Sequence, residues 1–402
     1  MSNTQKKNVP ELRFPGFEGE YSLDIFGNLA TNKSDKFNPQ NENASIDIEL
    51  DCIEQNTGRL IKIYNSKEFS SQKNKFNPQN VLYGKLRPYL NKYYFTKKSG
   101  VCSSEIWGLK STKEDKLLNL FLYYFIQTKR YSDVASKSAG SKMPRADWGL
   151  IENIRVYFPE LCEQQKIGEF FSKLDRQIEL EEQKLELLQQ QKKCYMQKIF
   201  SQELRFKDDN GNDYPEWEEK KLGELSQIVR GASPRPIKDP KWFNKESDIG
   251  WLRISDVTDQ NGKIYHLEQK LSIEGQEKTR VLLTTHLLLS IAASIGKPVM
   301  NFVKTGVHDG FLIFLNPKFN IFFMYYWLDY FKEKWSKYGQ PGSQVNLNSE
   351  IVKSQTLNMP SNHEQEKVGL FFSRNEKLIE LQQEKIMYLK RRKQALILKM
   401  FI

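Results

Sequence analysis

Residues of this chain answer one another at a distance of about 200 positions. Pro159, Glu163, Gln164, Lys166, Ile167, Gly168, Phe170, Phe171 and Ser172 match Pro360, Glu364, Gln365, Lys367, Val368, Gly369, Phe371, Phe372 and Ser373 at a constant offset of 201. Glu11-Leu12-Arg13-Phe14 returns as Glu203-Leu204-Arg205-Phe206, Leu122-Tyr123-Tyr124-Phe125-Ile126 is answered by Met324-Tyr325-Tyr326-Trp327-Leu328, and Gly140-Ser141 by Gly342-Ser343. A repeat this long is not a solenoid of small units; it is a tandem pair of whole units, each a mixed globular part followed by a helical part. Its 402 residues, 39% hydrophobic and 28% charged, suit two or three packed cores and argue against disorder.

The helical parts carry a seam. Ile167, Phe171, Leu174, Ile178, Glu181, Leu185, Leu188, Lys192, Tyr195 and Ile199 alternate spacings of four and three, as do Val368, Phe372, Asn375, Ile379, Gln382, Ile386, Leu389, Lys393, Leu396 and Met400. A 3.5-residue repeat is the signature of a coiled coil, whereas a helix docked alone on a globular core follows 3.6. No proline interrupts either helix after Pro159 or Pro360. About 35 helical residues make a rod on the order of 50 Å long. Because the first helix feeds the second globular part and no long return connection exists, antiparallel pairing is expected, with the globular parts at opposite ends. The expected fold class is α+β, two globular α/β domains in tandem pseudo-repeat, separated and joined by two long antiparallel coiled-coil helices. The expected boundaries are 1–159 and 201–359 for the globular domains, with 160–200 and 360–402 for the helices.

Charge suggests a partner. The net charge is +11, distributed as +7 over 1–159, −1 over 160–200, +1 over 201–359 and +4 over 360–402. A basic excess favours a polyanion, since neutralising phosphates supplies most non-specific nucleic-acid affinity. Several loops mix cations with amides and aromatics. The candidate DNA contacts are Lys85, Arg87, Asn91, Lys92, Lys142 and Arg145 in the first domain, and Arg235, Arg253, Ser294, Lys297, Gln344 and Asn346 in the second. Arginine can read guanine and Asn or Gln adenine, while Lys, Ser and backbone amides hold phosphates.

Motifs for catalysis are missing. There is no Gly-rich cofactor turn with an Asn/Asp-Pro-Pro-aromatic loop, as an adenine methyltransferase would need; the duplicated Lys-Phe-Asn-Pro-Gln-Asn at 36–41 and 75–80 lacks the second proline and reads as turns. No Gly-x-x-x-x-Gly-Lys-Ser/Thr loop is present, and four histidines without a His-x-x-x-His spacing argue against a zinc hydrolase. Four cysteines, none in a C-x-x-C pair, predict reduced thiols and a cytoplasmic protein. The polar stretch Met1–Pro10 predicts no secretory leader, and no apolar run reaches the ~20 residues of a membrane span.

With these residues in view, the chain resembles the specificity subunits of type I restriction-modification systems. The resemblance covers nearly the whole chain and rests most on the two Pro-x-x-x-Glu-Gln-x-Lys-Ile/Val-Gly helix starts, the Leu-Tyr-Gly-Lys-Leu-Arg-Pro-Tyr-Leu-Asn-Lys stretch at 82–92, and the Gly-Ser-Lys-Met-Pro-Arg-Ala-Asp-Trp stretch at 140–148. It implies two target recognition domains, each reading one half of a bipartite site in double-stranded DNA, on helices that space them and dock two methyltransferase subunits. It implies further that S-adenosylmethionine binds those partners and not this chain, that restriction and translocase subunits complete the complex, and that this chain is not itself an enzyme. The family pattern favours Asp at the position of Asp175; the second copy departs from it with Glu376. The alternative is a stand-alone nucleic-acid-binding architectural protein with a coiled-coil spacer.

Overall fold

A computed structural model describes residues 8–43, 45–137, 143–292, 295–338 and 347–402. Contacts divide the chain into two compact units, the first comprising the chain up to Gln183 together with Gln383–Ile402, the second Lys184–Gln382. Each unit therefore takes half of each long helix, Leu161–Phe200 and Asn362–Met400. The expected boundaries at 160 and 360 follow covalent order; the packing cuts across it.

In the first unit, Ser22–Ile25 pairs antiparallel with Arg155–Phe158, which brings both ends of the recognition part together beside the first long helix. Between them lie a four-stranded sheet, ordered Ala30–Thr31, Ile106–Ser111, Val81–Gly84, Tyr93–Phe95, and a five-stranded sheet built around Gly100–Cys102. Phe121, Leu122, Tyr124 and Phe125 of the helix Asn119–Phe125 are buried in the main core. In the second unit the same frame recurs: Glu218–Lys221 pairs antiparallel with Thr356–Met359, and the aromatic helix Ile321–Phe331 fills the core. Its sheets have five strands, centred on Leu287–Ser290, and three, centred on Thr305–Val307. The four cysteines are free, Cys52 and Cys102 buried and Cys162 and Cys194 exposed. No helix among the described residues is long and apolar enough to cross a membrane.

The repeated motif now has a physical content, position by position. Glu163, 1% exposed, is forked by Arg13 at 2.7 and 2.8 Å, and Glu364, 0% exposed, by Arg205 at 2.8 and 3.2 Å. A second donor completes each buried carboxylate, the Tyr21 hydroxyl at 3.4 Å in one unit and the Trp217 indole N–H at 3.0 Å in the other. The next residue ties three elements. Gln164 donates to the Pro159 carbonyl at 2.8 Å and accepts from the Leu118 amide at 3.0 Å; Gln365 donates to the Pro360 carbonyl at 2.8 Å and accepts from the Asn320 amide at 2.8 Å. Both amides stand at the start of the aromatic helix, where backbone N–H groups have no helical partner. Gly168 and Gly369 let that helix approach closely: a Cβ would lie 2.7 Å from Leu120 Cγ in one unit and 3.1 Å from the Phe323 amide nitrogen in the other.

The seam forms as the spacing predicts, antiparallel. In the first unit the closing turns of the second helix lie against the opening turns of the first, with Leu389, Ile397, Met400 and Phe401 in the same core as Ile167, Phe171, Leu174 and Ile178. In the second unit the closing turns of the first helix pack as their counterparts do, with Met196 and Ile199 in the core of Val368 and Phe372. Two of the polar breaks in the seam, Lys192 and Lys393, find carboxylates on the facing helix. Lys393 meets Asp175 at 2.6 Å, and Lys192 meets Glu376 at 3.3 Å. Each carboxylate also accepts from a core tyrosine, Asp175 from Tyr124 at 3.0 Å and Glu376 from Tyr326 at 2.7 Å, and Lys263 adds a second cation to Glu376 at 2.5 Å. The change from Asp to Glu leaves the arrangement intact. The closing turns depart from the expected seam: Tyr195 is 37% exposed while Met196 is buried, and Ile397 is buried more deeply than Leu396. There each helix packs on an aromatic core as well as on its partner, with Phe200 against both Phe323 and Phe372 and Phe401 against both Phe121 and Phe171, and its buried stripe moves round by one residue.

Two outcomes follow for stability. Gly168→Ala should destabilise the first unit by about 1–3 kcal/mol through overpacking on Leu120, despite alanine's better helix propensity, as thermal unfolding would register. Burial pushes the Glu376 carboxyl up, but Lys192, Lys263 and the Tyr326 hydroxyl outweigh it and hold the group below its usual 4.5. The stabilisation this represents is complete above that value and is lost as the pH falls through the lower folded value. Glu376→Gln should cost the second unit about 3–5 kcal/mol near neutral pH by leaving two half-buried lysines unpaired, and should reduce the loss of stability in acid, measured by denaturant titration across pH.

Candidate nucleic-acid interface

The cation-bearing loops are positioned by the sheets. In the first unit, Val81–Gly84 pairs antiparallel with Ile106–Ser111, and the chain leaving Gly84 runs alongside 143–146. Lys85 donates its amide to the Glu105 carbonyl at 3.0 Å and accepts from Ala146 at 2.8 Å, Leu86 bridges Arg145, and the Arg87 amide donates to Pro144 at 2.8 Å. Two stretches singled out separately in the sequence, 82–92 and the described part, 143–148, of the other, are thus neighbours. Arg87 (φ 53°) and Asn91 (φ 46°) both adopt the left-handed conformation and flank the short turn Pro88–Leu90. A non-glycine residue there costs on the order of 1–3 kcal/mol, and such strain collects at functional sites. The turn leaves Arg87 and Tyr89 exposed, with Met143 exposed on the adjoining stretch. The Arg87 guanidinium has no hydrogen-bond partner among the described residues. Arg145 is half-exposed and forks Glu105 at 3.0 and 3.1 Å, which holds its guanidinium more firmly protonated than usual.

Other candidates in this unit have structural duties. The Lys92 ammonium donates to the Leu50 carbonyl at 2.6 Å, and the Asn91 amide to Asn56 at 3.0 Å, so both hold the turn in place. Lys142 lies outside the described residues.

In the second unit the arrangement centres on Asp309, a residue that sequence reasoning missed. Its carboxylate accepts from Ser233 at 2.8 Å and from Arg235 at 2.7 Å, and its carbonyl from Arg230 Nε at 2.6 Å. Burial pushes Asp309 up, but the Ser233 hydroxyl and the charges of His308, Arg235 and Arg230 outweigh it, so the carboxyl titrates below its usual value. His308 is pushed down by burial and by the two arginines against the opposing pull of Asp309; the Gly310 amide donates to its Nδ1 at 2.8 Å, so the neutral ring carries its proton on Nε2. Its imidazole lies 5.5 Å from the Trp251 ring. Of the residues around Asp309 only Arg235 carried a sequence signal; His308-Asp309-Gly310 looked like any polar turn before an apolar strand.

Arg253 and Lys297 are engaged elsewhere. Arg253 caps the short helix Ile254–Asp259 through Asp256, at 2.7 Å between guanidinium and carboxylate. Lys297 is half-buried, its ammonium donates to the Val257 carbonyl at 3.3 Å, and burial lowers its basicity. Ser294, Gln344 and Asn346 lie outside the described residues. Among the described residues no group of three or more His, Cys, Asp or Glu could hold a metal ion.

The exposed Arg87 fits a phosphate contact. Arg87→Gly should leave the fold intact, because glycine adopts the left-handed conformation freely, while flattening the plot of log affinity for duplex DNA against log salt by about 0.9, one phosphate's share.

Known proteins resemble the chain in both of its repeats. Residues 20–190 and 214–391 each match the family described as the type I restriction modification DNA specificity domain. The chain is 26% identical over 310 residues to the type I restriction enzyme MjaVIII specificity subunit of Methanocaldococcus jannaschii, covering 72% of this chain and 71% of that protein. Its fold is similar to a chain from a study of complex assembly and conformational transition of the type I R-M system, with a TM-score of 0.62, 17% identity, and coverage of 94% of this chain and 96% of that one. It is also similar to the type I restriction-modification S subunit from M. genitalium, with a TM-score of 0.57, 14% identity, and coverage of 98% and 99%. Matched across both halves of its internal repeat, the chain belongs to the family of type I restriction modification DNA specificity domains.

Proposed function

We propose that this chain is the DNA-recognition subunit of a type I restriction-modification complex and that each of its two units reads one half of a bipartite site. The observation that carries the reading is the family match over both repeats, each of which builds a sheet-borne set of loops with arginines at its surface. The net charge of +11 suits a polyanionic partner. The chain supplies recognition; adenine methylation and cleavage belong to partner subunits. Two methyltransferase subunits would bind the chain and hold S-adenosylmethionine, with restriction and translocase subunits joining the full assembly. The chain acts in the cytoplasm, where its free thiols remain reduced.

The antiparallel ladder of Ser22–Ile25 with Arg155–Phe158 brings the two ends of the first recognition part side by side, so that part can be exchanged without touching either long helix. Replacing residues 26–154 with the equivalent segment of a relative should change one block of the methylated sequence and leave the other as it was, read by mapping methylated adenines in cells that carry the chain and its partners. A change in both blocks would mean that the units form a single reading surface. The purified chain alone should give no heat of binding with S-adenosylmethionine, whereas the complex with its methyltransferase partners should.

A further inference from the structure

We propose that Arg145 and Arg235 each read one guanine, one in each half-site, and that Glu105 and Asp309 are positioning residues that aim them. The inference rests on the DNA-recognition reading above and assigns the chemistry of its sites.

The two arrangements occupy the same place in the two units. Glu105 immediately precedes the strand Ile106–Ser111, and Asp309 stands two residues before the strand Phe311–Leu315. These strands correspond: the first pairs antiparallel with Ala30–Thr31 and the second with Gln227–Arg230, in each case a strand that follows a short helix after the opening ladder strand. In both units an exposed arginine lies on the carboxylate at the strand entrance, Arg145 at 3.0 Å and Arg235 at 2.7 Å. The arginines themselves are not repeat counterparts. Arg145 comes from the segment before the last strand of its unit, Arg235 from the loop after the first strand of the large sheet. Inheritance from a duplicated ancestor therefore does not account for the likeness, and a shared task does.

The bracing sets the direction of each guanidinium. Glu105 takes the Nε and one terminal nitrogen of Arg145, a fork that fixes the plane of the group. Asp309 takes one terminal nitrogen of Arg235 and is itself held by the Ser233 hydroxyl at 2.8 Å. A guanidinium turned to the major groove offers a pair of donors that matches the O6 and N7 acceptors of guanine. A braced arginine loses less side-chain freedom on binding than a free one, and its charge is balanced by the carboxylate, so it adds little to non-specific attraction for phosphate. Its contribution is to sequence discrimination.

The test uses the chain assembled with its methyltransferase partners, and duplexes carrying the site found by methylation mapping. Arg145→Ala should weaken binding to the site by about 5- to 150-fold and equalise the four bases at one G·C pair in one half-site, and Arg235→Ala should do the same in the other. Replacing that guanine with 7-deazaguanine should weaken the wild-type complex but not the variant. Glu105→Gln and Asp309→Asn should lower discrimination at those same pairs, with partial rescue by Glu105→Asp. Arg145→Lys and Arg235→Lys, which keep the charge and guard against misfolding, should lose discrimination while retaining affinity for unrelated DNA. The proposal is overturned if the alanine variants lose affinity equally on all sequences, if the relaxed position is not a G·C pair, or if Glu105→Gln leaves discrimination unchanged. If instead the wild-type complex selects no bipartite site, the recognition reading itself fails.

Discussion

Each long helix begins at a carboxylate that no water reaches. Removing a charge from water costs several kcal/mol unless hydrogen bonds and an opposite charge replace the solvent, so Glu163 and Glu364 are tolerable only with Arg13 and Arg205 in place. That requirement orients everything after it. The arginine draws the segment ahead of each opening ladder strand onto the first three turns of the helix, where Phe14 packs edge-on against Phe170 and Phe206 against Phe371. The neighbouring glutamine then fixes the aromatic helix, the aromatic helix supports the sheet, and the sheet sets the loops that carry the exposed arginines. A lysine in place of either arginine would keep the charge but lose the fork that satisfies both carboxylate oxygens.

The frame was legible in the sequence because it is local or repeated. The 3.5-residue spacing exposed both helices, and the lack of any return segment left antiparallel pairing as the workable connection. The motif around Glu163, Gln164 and Gly168 was visible as an echo, yet the job of each residue was not, since its partners Arg13, Leu118 and Leu120 stand far away in the chain. The same limit applied to the recognition loops. Composition alone marked Arg253 and Lys297 as readers, but cations also cap helices and satisfy buried carbonyls, and these two do so. Asp309 and Glu105 carried no signal, because a braced arginine depends on an acidic residue placed by strand pairing and not by spacing.

The two units use charge differently. Residues 1–159 carry a net +7 and residues 201–359 only +1, yet both present an arginine over a carboxylate. In the second unit Asp309 and Asp256 engage three of the arginines that the sequence offers, Arg230, Arg235 and Arg253. Such a surface relies less on phosphate attraction and more on directed hydrogen bonds, and its binding should respond less steeply to ionic strength than that of the first.

The sharing of the helices also bears on the order in which the protein can mature. Phe401 lies 4.9 Å from Phe121 and 6.3 Å from Phe171, and the Lys399 carbonyl accepts from the Leu12 amide at 2.9 Å, so the core of the first unit is closed by residues that follow the whole second unit in sequence. The second unit is assembled from Lys184–Gln382. On the ribosome, the unit begun first is thus completed after the other: the N-terminal sheets must wait, with an aromatic face open, until the helix Asn362–Met400 emerges. Truncation just after Gln382 would spare the second unit and damage the first, at the other end of the sequence.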